Sequence, residues 1–189
     1  MSKYKVKTAK GYVFLEASSA LQKSIRRGDE DSALFWATEL DKSGFGEYVF
    51  KRLKIMASED IGLGSPTYVA MLNSLYNFWR DQRKKKDDQH KPERLYLVHA
   101  VILAVRAKKS RIIDHACCVY YSNDNDLRPV PDYALDKHTY RGKMKGRGFK
   151  HFFSEASKLN NVADLADPYA ARAREIMCKP KPSAIELKD

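Results

Sequence analysis

Three segments decide the fold of this chain: Ser19-Ala-Leu-Gln-Lys-Ser-Ile-Arg-Arg-Gly-Asp29, Asp31-Ser-Ala-Leu-Phe-Trp-Ala37 and Ala57-Ser-Glu-Asp-Ile-Gly-Leu63. Their apolar residues recur at spacings of three and four, the period of an α-helix. Ser18 or Ser19 is placed to cap a first helix that Gly28 ends. Asp29 is placed to cap a second, whose Ala33, Phe35, Trp36, Ala37 and Leu40 fill one side until Gly44 stops it. A third runs over Glu47 to Ser58. Connections of a few residues favour antiparallel neighbours.

The same period continues outward. Ser65-Pro66 opens a long helix with Val69, Leu72, Leu75, Tyr76 and Trp79 on one stripe, and proline costs little at a first helical position. Arg83 to His90 reads as a solvated loop. From Pro92 to about Arg106 the chain is apolar on nearly every side, so this helix is expected to be the central, most buried one, with His99 a core histidine. Ser110 is placed to cap a helix over 111–121, which Asn123 to Asp126 breaks. Pro129 and Pro131 keep the next segment extended. Helices are expected again over 149–159 and from Pro168 to Met177. Before Ser18 the pattern changes. Lys3, Lys5 and Lys7 alternate with Tyr4 and Val6, and Tyr12 to Leu15 reads as a return strand after a turn at Gly11. The expectation is an all-α fold over residues 18–178, a basic N-terminal hairpin or extended arm over 1–17, and a loose tail over 179–189.

Composition narrows the function. Thirty-five Lys and Arg against 24 Asp and Glu give a net charge of +11, an excess that favours polyanionic partners. The longest apolar run, Leu95 to Val105, is too short to span a bilayer, and the first residues have no signal-peptide core, so a cytoplasmic location and no membrane partner are expected. The three cysteines include the adjacent pair Cys117-Cys118 and show no zinc-ligand spacing. They are expected to be reduced and buried. No metal or other cofactor is implied.

The three opening segments, followed in order by Pro129-Val130-Pro131 and Gly146-Arg147-Gly148-Phe149-Lys150, resemble one family. It is the helical domain that follows the motor in replication-associated recombination AAA+ ATPases, clamp-loader relatives that include the Werner-helicase-interacting protein. The resemblance runs from Ser18 to His151. It implies a multi-helix fold like the clamp-loader collar, assembly into a homo-oligomer (a tetramer in the family), and action at stalled forks and single-strand junctions. No Gly-x-x-x-x-Gly-Lys-Ser/Thr loop is present to cradle ATP. The expected protein is therefore not an enzyme but a stand-alone assembly and DNA-binding module, phage- or mobile-element-encoded, joining a replication or repair complex. The alternatives are a monomeric, sequence-independent nucleic-acid-binding accessory protein and a protein–protein inhibitor or mimic of a replication ATPase. The chain departs from the family at Lys108, where the family has proline, and at Asp132-Tyr133. The family's ending is not recognisable after His151.

Two basic clusters are candidate nucleic-acid contacts. Lys137 to Ser154 contains Arg141, Lys143, Lys145, Arg147 and Lys150 without a carboxylate. Glycines at 142, 146 and 148 would let backbone N–H groups approach phosphate, and Tyr140, Phe149, Phe152 and Phe153 would stack on bases. Lys108, Lys109 and Arg111 form the second cluster, at a helix junction. Glu59-Asp60 reads as structural: adjacent helical residues face different ways, and Arg26 or Arg52 is the expected partner. Trp36, Phe50 and Trp79 read as core.

Overall fold

Helix α1 (Phe14–Arg27) starts five residues earlier than Ser19, with extended Val13 ahead of it and no side-chain cap. The apolar stripe explains the difference. Ala17, Ser18, Leu21, Ser24 and Ile25 are the buried face, so Ser18 lies inside the helix. Its hydroxyl donates to Tyr48 Oη at 3.2 Å. The computed structural model describes residues 6–84, 90–122 and 127–179, in two units divided between Asp124 and Asn125. Lys3 and Lys5 of the expected arm lie outside the described residues, as does the tail beyond Lys179. What is described ahead of α1 is a tight turn at Gly11 (φ 87°) with one antiparallel bridge, Lys7 to Val13. The expected return strand over Tyr12–Leu15 is thus not formed, because Phe14 and Leu15 belong to α1. Among the described residues the fold is all-helical, as expected.

In the first unit, Gly28 adopts φ 76° and ends α1 with its N–H on Ile25 O and Ser24 O as further acceptor of the cap. Asp29 accepts the Ser32 N–H at 3.1 Å and caps α2 (Glu30–Leu40). A wide turn, Asp41–Phe45, with Gly44 at φ 85°, leads into α3 (Gly46–Met56). α4 (Thr67–Arg83) packs on α5 (Glu93–Arg106), and α5 also touches α1, α2 and α3. α6 (Ile112–Tyr121) closes the unit.

The central position of α5 comes from Leu97, Ala100, Val101, Ala104 and Val105, a stripe whose two alanines permit close approach of neighbouring helices. It is not buried all round. Leu95 is 71% exposed, and His99 is exposed rather than a core residue. Phe50 and Trp79 are fully buried, with ring centroids 5.0 Å apart, and Trp36 packs against the same core. The aromatic residues are core, as their spacing indicates.

The second unit has a thin core. Pro131 is extended and leads into a short turn, Asp132–Ala134. α7 (Tyr140–Met144) is capped by Thr139, whose hydroxyl accepts the Gly142 N–H at 3.0 Å. α8 (Phe149–His151) runs into a wide turn, Phe152–Ala156, so the helix expected to reach Leu159 stops early. α9 (Ala170–Cys178) ends the described chain. Leu135 and Asp136 are its buried side chains. Gly142 is fixed by space: a Cβ there would lie 1.7 Å from the Asp136 carbonyl oxygen.

All three cysteines are exposed and free. The expectation of buried thiols fails because neither α6 nor α9 buries any residue.

Candidate nucleic-acid interface

The Ser58–Leu63 segment is a structural clamp. Met56 ends α3, and the chain widens over Ala57–Ile61 before turning at Gly62–Gly64. This puts Asp60, 1% exposed, under the Arg26 guanidinium, which grips it through Nε at 2.6 Å and Nη2 at 3.1 Å. Arg26 Nη2 also reaches Glu59 at 3.1 Å. Arg111 approaches both carboxylates at 3.8 Å and pairs directly with Asp114. The Ser110 N–H donates to the Asp60 carbonyl at 2.9 Å. Arg26 is thus the partner expected from sequence. Arg52 instead donates to Gln22 at 2.6 Å, and Gln22 donates to Glu59 at 3.3 Å. α1, the Ala57–Ile61 turn and the start of α6 are tied together here.

The clamp changes what the Lys108–Arg111 cluster can do. Lys109 is turned inward. Its ammonium donates to the carbonyls of Ala104 (2.7 Å), Val105 (2.9 Å) and Ala107 (2.7 Å), closing the C-terminus of α5. Burial pushes its pKa down, and the Asp60 charge partly opposes that. Arg111 is engaged by three carboxylates. Ser110 does not cap α6: Arg111 holds the cap position, and no side chain accepts there. Lys108 alone of the three is exposed, its backbone N–H bonded to Ser65 Oγ at 3.1 Å.

In the second unit Asp132 divides the basic cluster. Lys145 Nζ meets its carboxylate at 2.6 Å, and Arg147 pairs with the same group while donating to the carbonyls of Asp132 and Leu135, both at 2.7 Å. Lys145 and then Arg147 hold the Asp132 carboxyl down to about 2. The backbone N–H groups of the glycine loop are also spent internally. Gly146 donates to Lys143 O at 2.9 Å and Arg147 to Gly142 O at 3.1 Å. Gly146 is required for its φ of 67°, which ends α7, rather than as a phosphate cradle. In the sequence Asp132 stood out as a departure from the family pattern. The signal that would have found it is a pair of carboxylates, Asp132 and Asp136, directly ahead of a run of six cations.

Arg141, Lys143 and Lys150 are exposed, with no ion pair among the described residues. Tyr140 beside them is 78% exposed. Phe149, Phe152 and Phe153 pack on one another, with Phe149 also covered by Lys137 Nζ at 3.8 Å. Tyr140 is therefore the aromatic side chain of the cluster left open for stacking. Among the described residues no group of three or more His, Cys, Asp or Glu side chains is placed to hold a metal ion, and no helix is long and apolar enough to cross a membrane.

By its family match, this all-helical frame, clamped through Asp60 and carrying basic side chains at its surface, is a C-terminal domain of AAA+ ATPases. Residues 27–180 match the family described as MgsA AAA+ ATPase C terminal, and the chain belongs to it. The match runs past His151, the last position at which the sequence motifs are recognisable. Among relatives, the chain is 43% identical over 147 residues to replication-associated recombination protein A of Bacillus subtilis, covering 75% of this chain and 32% of that protein. It is 30% identical over 159 residues to the ATPase WRNIP1 of Dictyostelium discoideum, covering 80% of this chain and 18% of that one. The Escherichia coli K12 protein of the first name is 26% identical over 166 residues, covering 86% and 34%. The chain therefore spans about a third or less of the length of these relatives.

Proposed function

We propose that this domain acts by holding macromolecules in DNA replication, recombination or repair, and that it contacts single-stranded or junction DNA through Arg141, Lys143 and Lys150 in the second unit and Lys108 in the first. Family membership supplies the setting, since two of the named relatives are replication-associated recombination proteins. The observation that carries the contact is the sorting of the cations. Lys109, Arg111, Lys145 and Arg147 have internal partners, whereas these four stand exposed on a chain of net charge +11. Exposed cations release counterions on meeting phosphate, and that release drives sequence-independent binding. The test is fluorescence anisotropy of a labelled single-stranded oligonucleotide with Arg141→Ala/Lys143→Ala/Lys150→Ala. Binding should fall by at least about tenfold at moderate salt. Unchanged affinity in the triple variant would reject this contact surface.

A second reading, assembly into a homo-oligomer, is favoured by α6. Apart from Asp114 and His115 it is apolar, yet Ile112, Val119, Tyr120 and Tyr121 are each more than half exposed. The helices over 18–58 place most of their apolar residues in the core, with Phe35 and Ile55 left exposed. Light scattering at micromolar concentration should show an oligomer that Val119→Glu dissociates. A strict monomer in the unaltered protein would remove this reading.

A further inference from the structure

A second cationic site lies along the seam of α3 and α4, away from every residue nominated above. On α3, Glu47, Lys51 and Lys54 share a stripe, at spacings of four and three. On α4, Tyr76, Arg80 and Arg83 repeat the spacing, and Lys84 follows. These intervals place side chains on one face, and the two helices pack together. Two clefts open along the seam and meet at Glu47. One, about 320 Å³, lies between Gly44, Trp79, Arg80, Arg83 and Lys84. The other, about 350 Å³, lies between Lys51, Lys54, Ile55 and Tyr76. Along the 11 residues of α3 the trough is about 16 Å long.

Its charge is not balanced internally. Asp41 pairs with Arg83 at 2.7 Å. Glu47 accepts the Tyr76 hydroxyl at 3.0 Å. Asp81 stands 3.9 Å from both Arg80 and Lys84. Lys51 has no carboxylate partner among the described residues. Lys54 Nζ sits 3.0 Å from the centre of the Tyr76 ring, and the Arg83 guanidinium 4.9 Å from that of Trp79. Five cations thus face three carboxylates. Burial lowers the Lys54 pKa, and although Glu47 opposes this, Arg80 adds to it.

The geometry points to a binding site for the phosphate backbone of a single nucleic-acid strand in this α3–α4 seam. Guanidinium groups match phosphate oxygens in a planar fork, and cations one helical turn apart can follow successive phosphates. The ring faces of Tyr76 and Trp79 already carry cations, so bases gain no stacking here and the seam reads no sequence. The inference rests on the nucleic-acid reading above but uses different residues, so the two can be separated. The test is anisotropy with labelled oligothymidylate and oligoadenylate of equal length, using the full chain and the rim variant Lys51→Gln/Lys84→Gln, whose side chains support no packing. Two lost phosphate contacts should flatten the log–log salt slope by about 1.4 and cost roughly tenfold in affinity at moderate salt, equally for both oligonucleotides and with an unchanged melting curve. If Arg141→Ala/Lys143→Ala/Lys150→Ala weakens binding and the rim variant does not, the seam assignment falls and the earlier reading stands. If the rim variant weakens binding and the triple variant does not, the seam stands and the earlier contact surface falls. No binding by the unaltered chain at low salt would end both. A glutamate-rich peptide that displaces the oligonucleotide at equal charge concentration would assign the seam to an acidic protein and overturn the nucleic-acid assignment.

Discussion

Asp60 is the residue on which the first unit depends most. It is buried against Arg26, and Arg111 stands 3.8 Å away. Removing its charge leaves Arg26, whose side chain is about a third exposed, with Glu59 as its carboxylate partner, a loss on the order of 1–3 kcal/mol. Asp60→Asn should lower the unfolding free energy obtained from a urea titration by about that much without altering DNA affinity per folded molecule; a stability change below about 0.5 kcal/mol would show that the clamp is ornamental. Asp132 makes a different kind of prediction. Its folded carboxyl is depressed to about 2 by Lys145 and Arg147, below the usual value near 3.9. Whatever stability this exposed pairing adds is therefore present above about pH 4 and lost as pH falls toward 2. A carboxyl titration followed by NMR should find its midpoint well below that of a free aspartate, and Lys145→Ala/Arg147→Ala should return it toward 3.9. At this scale the sequence was partly legible. Arg26 was a foreseeable partner for Asp60, because motif arginines and carboxylates had to pair somewhere. The inward turn of Lys109 was not, because only the folded end of α5 creates the three carbonyls that receive it.

Helix ends show where local patterns suffice and where they fail. Gly28 and Asp29 do what their chemistry dictates: one supplies the left-handed stop and the other the next cap. Ser18 and Ser110 carry the same cap-forming chemistry and cap nothing. Ser18 is overruled by the apolar period that already includes Phe14 and Ala17, and Ser110 is held by the Asp60 carbonyl. α5 and α6 were legible as helices but not in exposure. Burial depends on which neighbours arrive, and α6, the more apolar of the two, buries none of its residues. In the second unit, α7 is seated by the absence of a side chain at Gly142. Gly142→Ala would drive a Cβ into the Asp136 backbone, whereas Gly148→Ala meets open space. Hydrogen exchange should show lost protection over residues 135–147 in the first variant and none in the second, with α1 to α5 unchanged in both. Equal protection in the two variants would mean that the tight contact does not hold α7.

The whole molecule is a well-packed helical unit followed by one with a thin core, each carrying cations that its own carboxylates leave unmatched. Net charge was visible in composition, but its sorting was not. Half of the nominated cations are occupied holding the fold, and the α3–α4 seam was hidden because its five members are spread between Lys51 and Lys84. Residues 55–79 separate the two halves of that site, and only packing of α3 on α4 joins them. Family membership gives the setting, and the exposed cations carry the proposal that the domain grips a phosphate backbone. The most direct measurement is the affinity of the unaltered chain for a single-stranded oligonucleotide across a salt series. Three or more phosphate contacts predict a log–log slope of about −2 or steeper; a flat slope, or no binding at low salt, would contradict the account.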